Sequence, residues 1–422
     1  MVKRFESKNR YDVIVIGGGP AGSTAATLVA QQKHRVLLLE REIFPRFKIG
    51  ESLMPGTYWT LKRLGMIEKM KRSAFPVKYS VQFFSKTGKA SVPFYFFESD
   101  PHESSVTWQV LRSAFDQLML DNAREKGAEV MQGVSVQEVL FDGGRAVGVR
   151  AKLPDKSVRD IEAKVVVDAS GQSALLSRQL KIYEVEPKLK KAAVFSHFKG
   201  ARRDPGIDEG ATLVVHTANE DSWFWYIPLP NDVVSIGVVG DLEYLFLSRK
   251  DDPQKIFEDE VAICPALIPR IQDAKQLFPM KTIKEFSYRA DRVAGDGWVL
   301  AGDAFGFLDP IYSSGVFLAL KSGEWAADAI NEAFEKSDFS AKQLGKYGPL
   351  FAAGMESIRK LVYAFYTKDF SFGKFLKAYP ECRKEIIDIL SGNVYRRDVN
   401  GVFEKMVEMC DLPHDRGLKV EN

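Results

Sequence analysis

The sequence predicts an α/β fold: a Rossmann-like nucleotide-binding core, interrupted by antiparallel-sheet segments and closed by a helical C-terminal lobe. Three observations carry the prediction. The run Val13-Ile14-Val15-Ile16-Gly17-Gly18-Gly19-Pro20-Ala21-Gly22 puts a glycine-rich turn between an apolar strand and a helix of small residues. Two more short apolar strands, over 165–168 and 298–301, come far downstream, and each runs into a small-residue turn. Between them, 192–247 is rich in β-branched and aromatic residues, with turns such as Asp204-Pro205-Gly206. The core therefore starts, stops and resumes near residue 300.

The first turn has a defined chemistry. Gly17, Gly19 and Gly22 have the G-x-G-x-x-G spacing, with Pro20 and Ala21 between the last two. The first glycine permits the tight turn, the second lets phosphates approach the backbone, and the third lets helix and strand pack closely. A helix over 23–30 then offers unpaired N–H groups to a dinucleotide pyrophosphate. A second strand, 35–39, ends at Glu40, whose carboxylate suits the ribose hydroxyls; Arg41 follows it. A loop over 44–56 leads to a helix ending near Met70, and an aromatic, strand-rich stretch covers 77–97. The spacing of Leu111, Phe115, Leu118 and Leu120 predicts an amphipathic helix over 108–127. Two β-like runs over 129–151 hinge at Asp142-Gly143-Gly144, a hairpin signal. After Gly302-Asp303 a helix is expected over 316–335, and from Ser340 onward the pattern is helical, with buried faces at 358–366 and 385–390.

Composition narrows the function classes. The 422 residues are 45% hydrophobic and 27% charged, which suits a globular chain of two or three lobes. Net charge is only +3, from 59 basic and 56 acidic residues, so nothing points to nucleic acid. Cys264, Cys382 and Cys410 are far apart, which argues against a disulfide framework and against zinc. His34, His102, His197, His216 and His414 have no ligand spacing, so no metal is assigned, and each reads as surface or core filler. The first ten residues lack the apolar stretch of a secretory signal, and no run reaches the roughly 20 apolar residues of a membrane span. The expected location is the cytoplasm.

The glycine loop, the Asp168-Ala169-Ser170-Gly171 segment and Gly302-Asp303-Ala304 together resemble the FAD-dependent monooxygenases with the aromatic hydroxylase type of fold. Within that superfamily, Gly50-Glu51-Ser52, the segment Asp309-Pro310 to Ser313-Ser314-Gly315, and Trp223-Phe224-Trp225-Tyr226-Ile227-Pro228 resemble the flavin-dependent halogenases. The last matches their W-x-W-x-I-P signature at every fixed position. The resemblance implies FAD as cofactor, reduced flavin from a separate reductase, and hypohalous acid made from O₂ and halide. The substrate would be aromatic, pyrrolic or carrier-tethered.

Residue roles follow from the same resemblance. Gly17, Gly19, Pro20, Ala21, Gly22, Glu40, Arg41, Ser52, Arg112, Gly302 and Asp303 would hold FAD. The backbone N–H groups of Ser314 and Gly315 would hold halide, although capping of the next helix is an alternative use of those serines. Lys78, in Phe75-Pro76-Val77-Lys78-Tyr79, would be the catalytic lysine, against the ordinary reading of a solvated strand-edge lysine. Trp223 and Trp225 would wall the substrate pocket, and with Ile227 they alternate to fill one strand face. The expected segments are FAD-binding at 1–75, 111–180 and 291–335, substrate-domain sheet at 76–110 and 181–290, and a helical lobe at 336–422. The absence of a long C-terminal extension, and of a matching glutamate opposite the lysine, argues against free tryptophan as substrate. Geranylgeranyl reductases and aromatic hydroxylases are the rival enzyme readings, and a non-catalytic flavin carrier is the third.

Overall fold

The computed structural model describes residues 10–368 and 370–419. Residues 1–9, on which the reading of the N-terminus falls, lie outside that range. Strands Arg10–Ile16, Val36–Glu40, Glu129–Gln132, Val158–Asp168 and Trp298–Leu300 form the parallel part of an eight-stranded sheet. Their continuous apolar runs are explained by burial on both faces: Val13, Ile14, Val15, Leu38, Val165, Val166 and Val167 have no exposed surface beyond 1%. Helix Pro20–Gln31 covers this sheet and packs against the long helix Ser314–Lys336, so residues from opposite ends of the core meet over the glycine turn.

Close packing needs the glycines. A Cβ on Gly22 would collide with the Gly17 carbonyl, and one on Gly323 with the Ala21 carbonyl. Gly17 itself has φ +101°, which only glycine adopts without strain.

The second sheet is built from 80–84, 94–95, 191–199, 212–216, 222–229, 233–241 and the edge strands 275–276 and 281–284. It is antiparallel except where Ser80–Phe84 lies parallel to Thr212–His216. That parallel pairing joins the early aromatic strand to the later sheet and departs from the all-antiparallel expectation. The tryptophan strand Ser222–Leu229 runs through its middle. Trp223, Trp225 and Ile227 pack with the main core, while Phe224 and Tyr226 face a second core under helix Pro253–Ala262. Being buried on both faces, this strand has no polar side.

Two local expectations are corrected. The helix predicted from residue 108 begins at Arg112, because Thr107 and Trp108 pair as a strand with Val77 and Lys78. Residues 243–247, read as the end of the sheet, form a single helical turn. Helix Gly348–Tyr366 and helix Arg383–Ser391 contain the two expected buried faces of the C-terminal lobe.

Candidate active site

Two cavities meet where the sheets face each other. The larger, about 490 Å³, runs along the glycine turn and is lined by Gly17, Gly19, Pro20, Ala21, Glu40, Arg41, Arg112, Gly302 and Asp303. The smaller, about 110 Å³, is mostly apolar. Its walls include Trp225 and Ile227 from the tryptophan strand, Thr212 and Val214 from its neighbour, and the Pro310–Val316 turn. Gly50, Gln172, Asp303, Phe307, Gly315 and Val316 border both, so a ligand entering along the glycine turn arrives at the small cavity.

The larger cavity fits a dinucleotide. The N-terminus of helix Pro20–Gln31 opens onto it with no side-chain cap, which leaves its N–H groups to a ligand. Glu40 is buried; one carboxylate oxygen accepts from Gly18 N at 2.7 Å and the other from Glu42 N at 2.8 Å. Arg41 donates to Ser173 Oγ at 3.0 Å. Arg112 reaches the cavity but is already engaged. Its guanidinium makes two bonds to Asp116, at 2.8 and 2.9 Å, and donates to the Ile49 carbonyl at 2.5 Å and to the Gly50 carbonyl at 3.3 Å. Arg46 shares Asp116, at 2.8 Å, and Lys48 also lines this cavity; neither had any motif to mark it in the sequence. Gly302 has φ +61°, and the carboxyl of Asp303 is raised to about 6 by burial, opposed by Arg112 and Lys48.

Lys78 is the least ordinary side chain in the site. It is 2% exposed, so the solvated strand-edge reading does not hold. Its Nζ donates to Ser52 Oγ at 2.9 Å and to the Leu53 carbonyl at 3.1 Å, and it sits 5.4 Å from the Phe96 ring centre. Desolvation pushes its pKa down to about 7. A neutral amine has two N–H bonds, which match these two acceptors and leave its lone pair uncommitted.

Ser52, expected on the cofactor, lines the small cavity next to the dinucleotide cavity and bridges Lys78 to Thr212 Oγ1, 2.8 Å away. The reason is its backbone bridge to Gln109, which holds the segment extended and turns the Ser52 side chain toward the Thr212 strand. Thr212 and Gln109 complete this buried polar wall, with Gln109 Nε2 donating to Thr212 Oγ1 at 2.9 Å.

The halide candidates divide. Gly315 lines the small cavity together with Ser313, whereas Ser314 is buried at the helix start. Ser313, at the N-cap position with φ +60°, makes no side-chain cap bond, so capping does not account for the serines. The first N–H groups of this 23-residue helix lie beside the cavity.

The tryptophans divide as well. Trp225 faces the small cavity, and its indole N–H donates to Ser235 Oγ at 3.2 Å. Trp223 lines neither cavity; it packs beneath the C-terminal helix, where its indole donates to Tyr366 OH at 3.0 Å. His197 is not mere filler: its Nε2 lies 2.7 Å from Glu51 Oε1 on the small-cavity wall, and Glu51 Oε2 has no partner. The alternating apolar pattern of its strand hides that pair in the sequence. Among the described residues no cluster of His, Cys, Asp and Glu could hold a metal, and no helix is long and apolar enough to cross a membrane.

A glycine-turn dinucleotide site that opens into an apolar cavity, with a buried lysine behind its wall, fits an FAD-dependent oxidoreductase of the monooxygenase and halogenase type. The tryptophan halogenase family model matches residues 12–100 and 85–404. The chain is 33% identical to the 1H-pyrrole-2-carbonyl peptidyl-carrier-protein chlorinase of Pseudomonas fluorescens, over 96% of this chain and 94% of that one. It is 34% identical to the corresponding brominase of Pseudoalteromonas luteoviolacea, over 95% and 97%. The structure of the flavin-dependent brominase Bmp2 superimposes with a TM-score of 0.85 at 32% identity, covering 94% of this chain and 98% of that one. The myxobacterial chondrochloren halogenase CndH gives 0.80 at 30% identity, covering 95% and 97%. The chain belongs to the flavin-dependent halogenase family, and its cofactor is FAD.

Proposed function

We propose that this enzyme halogenates a pyrrole ring carried as a thioester on a carrier protein, using reduced FAD from a separate reductase, O₂ and halide. The observation that carries the reading is Lys78: a buried, desolvated amine with no carboxylate partner, tied to the wall of an apolar cavity through Ser52. The carrier-tethered pyrrole is favoured because two relatives of matching length act on that substrate.

In this reading Gly17, Gly19, Pro20, Ala21 and Gly22 cradle the pyrophosphate, Glu40 and Arg41 face the adenosine end, and Gly302 and Asp303 meet the ribityl chain. Arg112, which lines this cavity, holds the Ile49 carbonyl and meets the cofactor from the helix Arg112–Glu125. Bound FAD, when reduced, supplies the electrons that let O₂ oxidise halide to hypohalous acid. The free N–H groups at Ser314 and Gly315 hold the halide beforehand. Trp225, Ile227 and Val214 give the small cavity an apolar wall. The Lys78 lone pair then receives hypohalous acid and fixes the position of its halogen. The ring carbon takes the halogen, its hydrogen leaves as a proton, and hydroxide departs with that proton as water. A lysine charged at all working pH would lack the lone pair, which is why burial matters here.

The test is mass spectrometry of pyrrole-2-carbonyl carrier protein after incubation with enzyme, FAD, a generic flavin reductase, NADH and bromide. A gain of bromine on the tethered ring, absent with free pyrrole-2-carboxylate and absent in Lys78→Ala, is the expected result. Bromination of the free acid at equal rate would overturn the carrier assignment, and product from Lys78→Ala would overturn the role of the lysine.

A further inference from the structure

The turn that walls the small cavity is held from outside by the C-terminal lobe. Asp309, 1% exposed, opens this turn. Its Oδ1 accepts from Ile311 N at 3.0 Å and its Oδ2 accepts from Tyr366 OH at 3.0 Å. Tyr366 is the last residue of helix Gly348–Tyr366 and in turn accepts from the Trp223 indole at 3.0 Å. The same helix takes a second hold on the turn, since Tyr312 OH donates to the Leu361 carbonyl at 3.0 Å. Lys191 fixes the Tyr366 ring from the other side, its Nζ 3.8 Å from the ring centre and 2.7 Å from Asp241.

These bonds act on a short piece of chain. Ser313 N closes the turn on the Pro310 carbonyl at 3.0 Å, and Ser313 then adopts φ +60° to start helix Ser314–Lys336. Pro310, Ile311, Ser313, Gly315 and Val316 all face the small cavity. A shift of Asp309 is therefore transmitted through the four residues Pro310 to Ser313 to the N–H groups that open the helix.

We infer that Tyr366 is a positioning residue for halide binding: through Asp309 it sets where the helix N–H groups at Ser314 and Gly315 point, and Trp223 sets Tyr366. This rests on the halide reading of that helix start. It gives the first tryptophan of the W-x-W-x-I-P strand a task separate from that of Trp225, which faces the cavity. It also makes the C-terminal lobe a working part of the site rather than a cover. The hydroxyl is the operative group, because the Tyr366 ring is held independently by Lys191.

The test is steady-state bromination by the FAD-loaded enzyme with bromide varied, comparing Tyr366→Phe, Asp309→Asn and the double variant, with thermal melting and FAD titration alongside. Tyr366→Phe is expected to raise the KM for bromide roughly 10-fold while kcat and FAD affinity stay close to wild type. Asp309→Asn is expected to do the same, and the double variant no more than the worse single, because both cut one bond. Peroxide released per NADH should rise in parallel. An unchanged bromide KM, or additive losses confined to melting temperature and FAD affinity, would mean a purely structural link and overturn the proposal. Bromination by the wild type that does not saturate in bromide would overturn the halide site itself, and this inference with it.

Discussion

Lys78 Nζ and Ser52 Oγ lie 2.9 Å apart in a space closed to solvent, and neither touches a carboxylate. This hydrogen bond ties the lysine to the cavity wall, since Ser52 lines the cavity. A buried cation would be expected beside an anion. Here the environment instead favours the neutral amine, and its pKa falls to about 7 from 10.5.

The first prediction concerns stability and pH. In the unfolded chain Lys78 keeps its proton up to about 10.5, whereas in the fold it loses it near 7. Between those values the unfolded state binds more protons, so this residue makes stability rise with pH. Below 7 the fold bears the whole cost of burying the charge. Lys78→Met should therefore raise the melting temperature most at pH 6 to 7, with the gain fading as pH approaches 10, while halogenation is lost throughout. Melting curves across that range check the sign; a gain that grows with pH would contradict it.

The second prediction isolates Ser52. Ser52→Ala removes the acceptor for one Lys78 N–H and the partner of Thr212, at a stability cost of roughly 1–2 kcal/mol. Product formation should fall by roughly 10- to 100-fold, as for loss of a group that orients a catalytic side chain. FAD affinity should be unaffected, because Ser52 does not line the dinucleotide cavity. Equilibrium flavin titration beside single-turnover bromination separates the two effects. Weakened FAD binding without a slower turnover would return Ser52 to the cofactor.

What the sequence made legible depended on how local each signal was. Val13–Gly22 announces strand, turn and helix because its apolar run and its glycine spacing lie within ten residues. The W-x-W-x-I-P run gives the alternation of Trp223, Trp225 and Ile227, but strand periodicity does not distinguish a tryptophan facing a cavity from one facing a helix. That difference comes from Tyr366, 143 residues away. Ser52 sits beside Gly50 and Glu51 in the chain, but its side-chain partners are Lys78 and Thr212, 26 and 160 positions on. The Glu51–His197 pair spans 146 positions and leaves no spacing to read. Arg112 was legible as a helix residue near the flavin site; that Asp116, one turn later, would engage its guanidinium required the helix register.

The third prediction tests the glycine turn. A methyl group at Gly22 would meet the Gly17 carbonyl oxygen, which is backbone and has no rotamer into which to retreat. Gly22→Ala should separate helix Pro20–Gln31 from strand Arg10–Ile16, and with it move the N–H groups that face the pyrophosphate. FAD affinity should fall by at least roughly 10-fold, with a destabilisation of about 1–3 kcal/mol, as overpacking in a close-packed region costs. Gly143→Ala is the control, because a Cβ there meets nothing within 4 Å, although φ +55° adds some strain. Gly143→Ala should keep its flavin. Equal flavin loss in both variants would show that the effect is one of general stability.

The fourth prediction sets stability against cofactor binding at Asp303. Burial raises this carboxyl to about 6 from 3.8, while Arg112 and Lys48 pull it down without fully offsetting the desolvation. The folded protein therefore holds the proton up to about pH 6, whereas the unfolded chain releases it near 4. Stability contributed by the protonated form is lost as pH rises through that interval, and above 6 the fold carries an ionised, desolvated carboxylate. Asp303→Asn removes the cost, so the FAD-free variant should melt higher than wild type at pH 7.5 and equally at pH 4. The same change takes away the carboxylate that faces both cavities, so FAD affinity at pH 7.5 should fall. Opposite signs for the two measurements identify a residue kept for its ligand at the expense of the fold. A variant that is less stable without FAD would instead mean that Asp303 holds the Gly302 turn together, through its charge on Arg112, whether or not the cofactor is bound.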